Sequence, residues 1–371
     1  MPMVSSASGG QISLAGTATG PGSTNRSMSF EFKSTTTSQT SLSEYYRGGT
    51  YVANHPTNAP VATSGAISIG SFYGASKRYI VTVSISSNTS NYNLQTSSVS
   101  GYTAGWTDVA LVINSGVTVN ASAGTTALTV TGFNSADTIY IQNSGTIQGG
   151  GGGGGTATGG NGGHGINLSP ASASNVTIFN ASGAVIGGGG GGGGRGQAIT
   201  GYVHDAYGNI ISNSYTYMRG GGGGGGAGNS AGSGSGVVGS GANPHYNYIS
   251  TAGSGAGGST TAGGGGGGPD SGYIYSINNY YVASAGSGGA GGARGANGGG
   301  GNAGYLNGPP GVVYIPNDGN ATALYAGSTK GVMQSGGAWG SGGSAGYAVK
   351  GTNKLASPVS NSGTLYGPQG T

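Results

Sequence analysis

Residues 180–196 read Asn-Ala-Ser-Gly-Ala-Val-Ile-(Gly)8-Arg-Gly, a short β-like phrase followed by eight consecutive glycines. Four further glycine runs, at 149–155, 220–226, 263–268 and 298–301, interrupt the chain after residue 148 in the same way. Successive runs begin 38, 33, 43 and 35 residues apart. This near-regular spacing indicates a repeated structural unit, although no familiar solenoid motif accompanies it.

Long glycine runs of this kind can become ordered only when several of them pack together. Glycine loses more conformational freedom on folding than any other residue, so a single run would remain unfolded. A lone polyproline II helix has no internal hydrogen bonds, and burial would leave its backbone N–H and C=O groups unpaired. Several such helices side by side can bond one another, and only glycine lets their backbones approach closely enough. The runs therefore predict a bundle of extended helices, and the lack of a strict Gly-X-Y repeat excludes collagen.

The overall composition argues against simple disorder. The 371 residues include 90 glycines and 12 prolines but also 23 tyrosines, with 5% charged residues and a net charge of +4. Disordered chains usually combine high net charge with few aromatic residues, so a disordered tail explains the glycines but not the tyrosines. The absence of cysteine excludes disulfides and thiolate metal sites. Because the cations are scattered, no basic patch predicts nucleic-acid binding, and no apolar leader predicts a signal peptide.

Upstream of the first run the sequence predicts β-structure. Val81, Val83 and Ile85 alternate with polar residues, which is the period of a half-buried strand. The same theme continues at 109–113, 117–119, 128–130 and 139–141, with Asn, Ser, Gly and Asp between as turn residues.

One phrase recurs beside the glycine stretches. Residues 143–149 read Asn-Ser-Gly-Thr-Ile-Gln-Gly, residues 361–367 read Asn-Ser-Gly-Thr-Leu-Tyr-Gly, and residues 180–187 are a looser copy. Each copy sets a small strand next to glycine, so short strands are expected to flank the bundle. Residues 319–371 are then expected to fold back near the β-region at 81–148.

Residues 1–78 form a third kind of sequence. Short apolar–polar phrases at 12–14, 41–49 and 66–74 suggest a small repeat module and not a large core. The predicted fold class is an all-β N-terminal part, then a glycine-rich bundle of polyglycine II helices with flanking short strands, with essentially no α-helix. The predicted domains are a small module at 1–78, a β-rich stalk at 79–148, the bundle at 149–318 and a C-terminal β/Gly-rich segment at 319–371 packed back on the bundle.

The segments between the runs are of two alternating kinds. Four are rich in tyrosine, at 197–218, 242–252, 269–284 and 302–318, and the others are short and polar, at 229–230, 259–261 and 294–297. If 253–268 and 285–301 each cross the bundle twice, all four tyrosine segments lie at one end and the short turns at the other. Tyrosine joins a large apolar ring to a polar tip with little entropy to lose, as in antibody paratopes. The candidate binding residues are Tyr202, Tyr207, Tyr215, Tyr217, Tyr246, Tyr248, Tyr273, Tyr275, Tyr280, Tyr281, Tyr305 and Tyr314. The alternative is that these rings merely cover the bundle.

Catalytic and cofactor motifs are not found. His204 beside Asp205 lacks a third partner, no nucleophile elbow is present, and no spacing of His, Asp or Glu predicts a metal site. Glycosidases need two carboxylates. Asp205, Asp270 and Asp318 fall one each in three tyrosine segments, which leaves a polysaccharide-degrading spike as an alternative. No enzyme, cofactor or metal is predicted.

The pattern over 149–318 resembles the distal adhesins of T-even-like phages, in which glycine-rich motifs form a sandwich of polyglycine II helices. That resemblance implies loops at the distal end that bind host outer-membrane proteins. Residues 41–49 and 66–76 are similar to N-terminal phrases of phage tail structural proteins, which implies attachment to the virion through 1–78. The adhesins attach through a different N-terminal region, so the β-region could instead form a homotrimer, as fibre proteins do.

Together these observations predict a tail-fibre or tail-tip receptor-binding protein of the phage virion. Its partners would be a host cell-surface receptor, either an outer-membrane protein or a glycan, and other tail proteins, with no nucleic acid. The alternatives are a purely structural fibre or spacer, and a polysaccharide depolymerase.

Overall fold

The computed structural model of the chain is built mostly of strands. The described residues are 12–13, 26–28, 32, 41–55, 58–155, 158–169, 175–196, 198–204, 210–218, 220–228, 230–235, 247–250, 253–268, 271–276, 279–284, 287–302, 305–307, 322–326, 329–336 and 340–370. They form 25 strands, β1 to β25 in chain order, and four short 3-10 helices at Leu42–Tyr45, Ile69–Phe72, Thr96–Ser98 and Thr352–Lys354. The all-β expectation is therefore confirmed.

Three five-stranded parallel sheets make up the body of the fold. The first sheet has, in spatial order, β3 (Tyr79–Ile85), β6 (Thr107–Ile113), β9 (Thr138–Asn143), β12 (Asn175–Asn180) and β23 (Ser360–Asn361). The second has β4 (Thr89–Ser90), β7 (Thr118–Asn120), β10 (Thr146–Gln148), β13 (Val185–Gly187) and β24 (Thr364–Tyr366). The third has β5 (Tyr92–Leu94), β8 (Leu128–Val130), β11 (Ile166–Leu168), β22 (Val349–Lys350) and β25 (Gln369–Gly370).

Each turn of the chain supplies one strand to each sheet before the next turn stacks on it. The chain thus winds five times around a common interior, as a three-sided parallel β-helix. Polar corners of a few residues join the first two strands of every turn, and Gly116 (φ +78°) and Gly183 (φ +78°) supply left-handed backbone at two of them. In each sheet the strand of one turn hydrogen-bonds to the equivalent strand of the next turn, so each added turn covers the strand edges of the turn before it.

The period-two pattern read from the sequence explains the interior. Alternate residues of β6, Val109, Leu111 and Ile113, are 0% exposed, while Asp108 and Val112 are partly exposed and the small Ala110 is buried as well. Equivalent aliphatic residues of neighbouring turns stack on them in register, as in the row Leu111, Ile141 and Ile178. The buried stack is continuous from the first turn to the fourth and forms the main core.

The recurring Asn phrase marks one corner of the β-helix. Asn143 donates its amide to Asn180 Oδ1 (2.8 Å), and Asn180 donates to Asn361 Oδ1 (2.7 Å). Asn143 and Asn180 are both 1% exposed. Since a buried polar group must be paired, this three-residue ladder fixes the register of the third, fourth and fifth turns. The three copies of the phrase found in the sequence are these three turns.

Charged residues tie together the starts of the first three turns. The Arg78 guanidinium contacts the carboxylates of Asp108 (2.6 Å) and of fully buried Asp137 (3.2 Å). Tyr102 donates to Asp137 (2.6 Å), and burial together with this hydrogen bond raises the pKa of Tyr102 to about 12. Each of these carboxylates is thus held by a cation in a structural role.

The N-terminal residues have an aromatic core of their own. Phe32, Tyr45 and Phe72 are fully buried and meet edge to face, with ring centroids 5.8 to 6.1 Å apart. Two of the predicted phrases form the 3-10 helices Leu42–Tyr45 and Ile69–Phe72, and the first begins with a capping box between Ser41 and Glu44. The His55 ring stacks on Tyr79 at the start of the β-helix, with centroids 3.3 Å apart.

The predicted division of the chain at 78, 148 and 318 concerns folding units and stays a prediction. The sheets themselves draw strands from both sides of 148 and 318, because β11 to β13 and β22 to β25 continue the turns begun at 79.

Candidate functional site

Two glycine-rich excursions leave the β-helix at a single kind of corner, between the second and third strand of a turn. Residues 149–165 separate β10 from β11, and residues 188–348 separate β13 from β22. The sheets close again after each excursion, since β11 and β22 pair in register. The two excursions that contain the glycine runs therefore leave the β-helix from one flank.

The run at 187–196 lies at the centre of a hydrogen-bonded bundle. Its backbone bonds to each neighbouring stretch at every third residue: Gly149, Gly152 and Gly155 donate to Gly187, Gly190 and Gly193. Six stretches surround it in this way, at 149–155, 160–163, 221–227, 289–295, 296–299 and 340–346. The sequence predicts that the glycine runs form hydrogen bonds side by side, and the structure has these bonds.

Glycine is required inside the bundle by direct contact. All eight residues of 187–194 are buried. A Cβ on Gly190 would overlap the carbonyl oxygen of Gly292, and one on Gly191 would overlap that of Gly343. At the outer face of the bundle glycine is not required, because a Cβ on Gly265 or Gly268 would have no atom within 4 Å.

The two glycine stretches that must each cross the bundle twice, if all four tyrosine segments are to share an end, do double back. Gly253, Ala256 and Ser259 donate to Gly268, Gly265 and Ala262, so 253–268 is two antiparallel passes joined by a turn at 259–262. Bonds from 302 to 287, 299 to 290 and 296 to 293 show the same for 287–302. Both turns lie at the β-helix end, where Ser259 accepts from Gly228, Gly188 accepts from Gly295, and the Arg294 side chain donates to Thr260 (2.7 Å). The third predicted turn includes Asn229, which lies outside the described residues.

At the opposite end of the bundle lies a ring of points where the chain leaves and re-enters it, which is called the ring of exits below. Four segments leave and re-enter the bundle there, at 197–219, 236–252, 269–286 and 303–339, and they are called the distal segments below. The flanking residues are joined by backbone hydrogen bonds, Gly196 to Gly221, Gly222 to Gly253, Gly253 to Gly268, Gly288 to Gly267, Asn302 to Ser287, Gly301 to Gly340 and Gly340 to Arg195. The described residues that flank the four distal segments thus lie at one level, at the end away from the turns.

Strands of the distal segments form two antiparallel sheets. The first has the order β15 (Ile210–Met218), β14 (Ala198–His204), β21 (Thr329–Gly336) and β20 (Thr322–Ala326). The second has β16 (Asn247–Ser250), β17 (Ser271–Ser276), β18 (Asn279–Ser284) and β19 (Tyr305–Asn307). Each sheet combines strands from different distal segments.

Nine of the twelve candidate tyrosines lie on these strands. Tyr202 is on β14; Tyr215 and Tyr217 are on β15; Tyr248 is on β16; Tyr273 and Tyr275 are on β17; Tyr280 and Tyr281 are on β18; Tyr305 is on β19. Paired positions share a face of a sheet, and the pairs Tyr275–Tyr280 and Ser284–Tyr305 put Tyr273, Tyr275, Tyr280 and Tyr305 on one face. Tyr207, Tyr246 and Tyr314 lie outside the described residues.

Sequence reasoning missed the contribution of residues 322–346 to this end. Strands β20 and β21 join the first distal sheet, and 340–346 is a further pass of the bundle. The available signal was glycine at every third position: Gly340, Gly343 and Gly346 are buried, while Ser341 and Ser344 between them are exposed. A three-residue helical repeat needs glycine only where it meets a neighbour.

The acidic side chains of the described residues have structural partners. Glu44 caps a 3-10 helix, and Asp108 and Asp137 are bound by Arg78. No group of three or more metal-ligating side chains occurs within this part of the chain, and none of its helices has the length and apolarity to cross a bilayer. Asp205, Asp270 and Asp318, which carried the depolymerase alternative, lie outside the described residues.

Comparison with known proteins identifies a family for most of the chain. Residues 80–370 fit the family model of the phage tail fibre adhesin Gp38. No match was found among curated proteins or among solved structures. The matched range covers the β-helix from residue 80 onward and the glycine bundle, and it leaves out residues 1–79 and Thr371.

Proposed function

Because the chain belongs to the phage tail fibre adhesin family Gp38, it is a receptor-binding protein of the phage tail, and we propose that it presents its distal segments to the host on a polyglycine II bundle. The family supplies the general role. The observation that carries the rest is the ring of exits, which gathers four tyrosine-bearing segments at the end of the bundle away from the β-helix.

The polyglycine II assignment is supported by hydrogen-bond periodicity. Every third residue of 187–196 faces the same neighbour, and a helix with three residues per turn has this property. At about 3.1 Å per residue, the pass from Gly187 to Gly196 spans roughly 28 Å. Bonds in six directions leave little freedom to bend, so the bundle would hold the distal segments at a fixed height above the β-helix.

Tyrosine suits the proposed contact surface chemically. A phenol ring buries apolar area, its hydroxyl donates or accepts, and only two side-chain torsions must be fixed. Asn247, Ser271 and Asn279 lie on the same strands and add small hydrogen-bonding groups. This composition fits a protein loop or a glycan, so the receptor is an outer-membrane protein or a surface glycan.

We propose that binding requires no catalysis. The acids Glu44, Asp108 and Asp137 are engaged in structural contacts, and the sequence offers no catalytic motif in the distal segments. A depolymerase would release oligosaccharide from host capsule and lose that release on substitution of Asp205, Asp270 or Asp318. We expect no release from the unmodified protein.

Attachment to other tail proteins is proposed through residues 1–78. These residues precede the family match, which begins at 80, and they include a separate aromatic core around Tyr45 and Phe72. A homotrimer at the fibre end is the proposed assembly of the β-helix region, and native mass spectrometry of the purified chain measures it directly: a single-chain mass at micromolar concentration would refute the trimer.

The central experiment is adsorption blocking. Purified full-length protein should occupy host receptors and slow phage adsorption, and a variant with Tyr273→Ser, Tyr275→Ser and Tyr280→Ser should lose at least tenfold in blocking potency. The control is Tyr140→Ser, which alters a half-buried tyrosine on β9 of the β-helix. If neither the native chain nor the control blocks adsorption, the chain acts as a structural spacer and the proposal fails. If the triple variant blocks as well as the control, the tyrosine surface is wrong.

A further inference from the structure

The two distal sheets have a property that independent loops would not have: their strands come from segments far apart in sequence. Strand β14 pairs with β21 at five consecutive positions, from Ala198 with Gly336 to Tyr202 with Val332. In the second sheet, β16 pairs with β17 and β18 pairs with β19. Three distal segments therefore build the second sheet, and two build the first.

One distal segment belongs to both sheets. Residues 303–339 supply β19 to the second sheet and β20 and β21 to the first. In the first sheet these two strands are half of the four, and β21 lies at its interior between β14 and β20. A change in this segment therefore alters the pairing partners of 197–219 on one side and of 269–286 on the other.

The stability of the first distal sheet depends on this shared segment. An isolated two-stranded hairpin is marginal in water, and three or more strands are needed for independent stability. The hairpin of β14 and β15 already carries three register shifts, whereas β14 and β21 pair without interruption. The hairpin of 197–219 thus depends on its distant partner for a regular ladder. A slip of one residue in that pairing would move every side chain of the strand to the other face.

We propose that the receptor-recognition surface consists of two composite sheets, and that 303–339 is the specificity-determining segment common to both. The inference rests on the proposed function. Host preference is then encoded by matched sets of segments: 197–219 with 322–336, and 247–250 with 271–284 and 305–307. Exchange of a single segment breaks a sheet and does not transfer its specificity.

The pairing itself is tested by engineered disulfides in a chain without cysteine. Directly opposed residues of antiparallel strands have Cα atoms about 4.5 to 5.5 Å apart, which is within disulfide reach. The matched pairs are Thr200→Cys with Gln334→Cys, and Ala283→Cys with Leu306→Cys. The controls recombine the same positions across the sheets, Thr200→Cys with Leu306→Cys and Ala283→Cys with Gln334→Cys.

Under mild oxidation the matched pairs should cross-link at least tenfold more completely than the recombined pairs, as measured by mass and by mobility on non-reducing gels. Equal cross-linking of matched and recombined pairs would overturn the proposal. This readout does not depend on a receptor. A failure of adsorption blocking by the unmodified chain would therefore count against the proposed function and leave the cross-linking result standing.

Specificity is tested by exchange with a family member that infects a different host. Exchange of 197–219 alone should lower adsorption to either host at least tenfold. Joint exchange of both matched sets, 197–219 with 322–336 and 247–250 with 271–284 and 305–307, should restore adsorption, now to the new host. Full transfer of host preference by 197–219 alone would overturn the coupling. The singly exchanged chain should also lose the protease resistance of its distal end, which the jointly exchanged chain should recover.

Discussion

Substitution of one central glycine measures how much of the stability depends on close packing of the bundle. In Gly191→Ala the added methyl would overlap the carbonyl oxygen of Gly343, which accepts a hydrogen bond from Gly298 (2.9 Å). Gly191 itself donates to Ala296 (3.0 Å) and accepts from Gly292 (2.7 Å). Relief of the overlap requires one or more of these stretches to move apart, with loss of their bonds.

The magnitude follows from these contacts. Overpacking of a tight interior costs about 1 to 3 kcal/mol, and each backbone hydrogen bond lost adds about 1 kcal/mol. With two or three bonds lost, these contributions lower the free energy of unfolding of Gly191→Ala by about 3 to 6 kcal/mol. The smaller entropy of an unfolded alanine offsets about 0.4 to 1 kcal/mol of that.

The matched control is Gly265→Ala, in another run of the same bundle. A methyl there would meet nothing, and neither glycine has a positive φ. The control should leave stability unchanged or raise it by about 0.4 to 1 kcal/mol. Urea unfolding followed by circular dichroism gives both values, and adsorption blocking shows whether the distal end survives. Equal midpoints for the two variants would refute the claim that backbone contact dictates glycine in the bundle.

Three further predictions concern the β-helix. Asn180→Ala removes the middle of the asparagine ladder and leaves the buried Asn143 amide with only the Val185 carbonyl as an acceptor, so unfolding free energy should fall by about 2 kcal/mol in urea titration. Burial and then the nearby Lys350 charge lower the pKa of His164, whose Nδ1 accepts the Tyr347 N–H (3.0 Å). Its contribution to stability is therefore present above pH 6.5 and lost as the pH falls below that value, and His164→Asn should flatten this part of a melting-temperature profile. Tyr102→Phe should remove a tyrosine titration near pH 12 from the ultraviolet difference spectrum.

The sequence predicted the strands more readily than their arrangement. The alternation at Val81 and Val83 specifies β3, and the same rule specifies β6 and β9. A three-sided β-helix could not be read from it, because the third and fourth turns are interrupted by excursions of very different length. Only the Asn phrase revealed the corner, because Asn143 and Asn180 must pair once buried.

The candidate site was predictable in its position and not in its pairing. Long runs and alternating segments predict that the tyrosine segments share an end, because each pass reverses the chain, on the condition that 253–268 and 285–301 each make two passes. The pairing of β14 with β21 joins residues more than 120 positions apart, and no local pattern specifies such a partner. The pass at 340–346 was missed for a related reason: serine and alanine fill its outward positions, so it lacks a run.

The β-helix also explains how glycine stretches with so much conformational entropy can begin to order. The ladder of the second sheet, in which Gln148 pairs with Gly187 and Gly187 with Tyr366, runs directly into the bundle: Gly149 donates to Gly187, and Gly188 donates to Tyr366. Three residues further on, Gly152 donates to Gly190. The third sheet does the same on the return, where Gly165 donates to Tyr347 just before β11 and β22 pair. Adjacent strands lie about 4.8 Å apart, so the first passes leave the β-helix already side by side and in register. Each further pass then adds to a lattice whose spacing and direction the β-helix has set. The conformational entropy lost when a residue becomes ordered is offset at once by hydrogen bonds to an ordered neighbour.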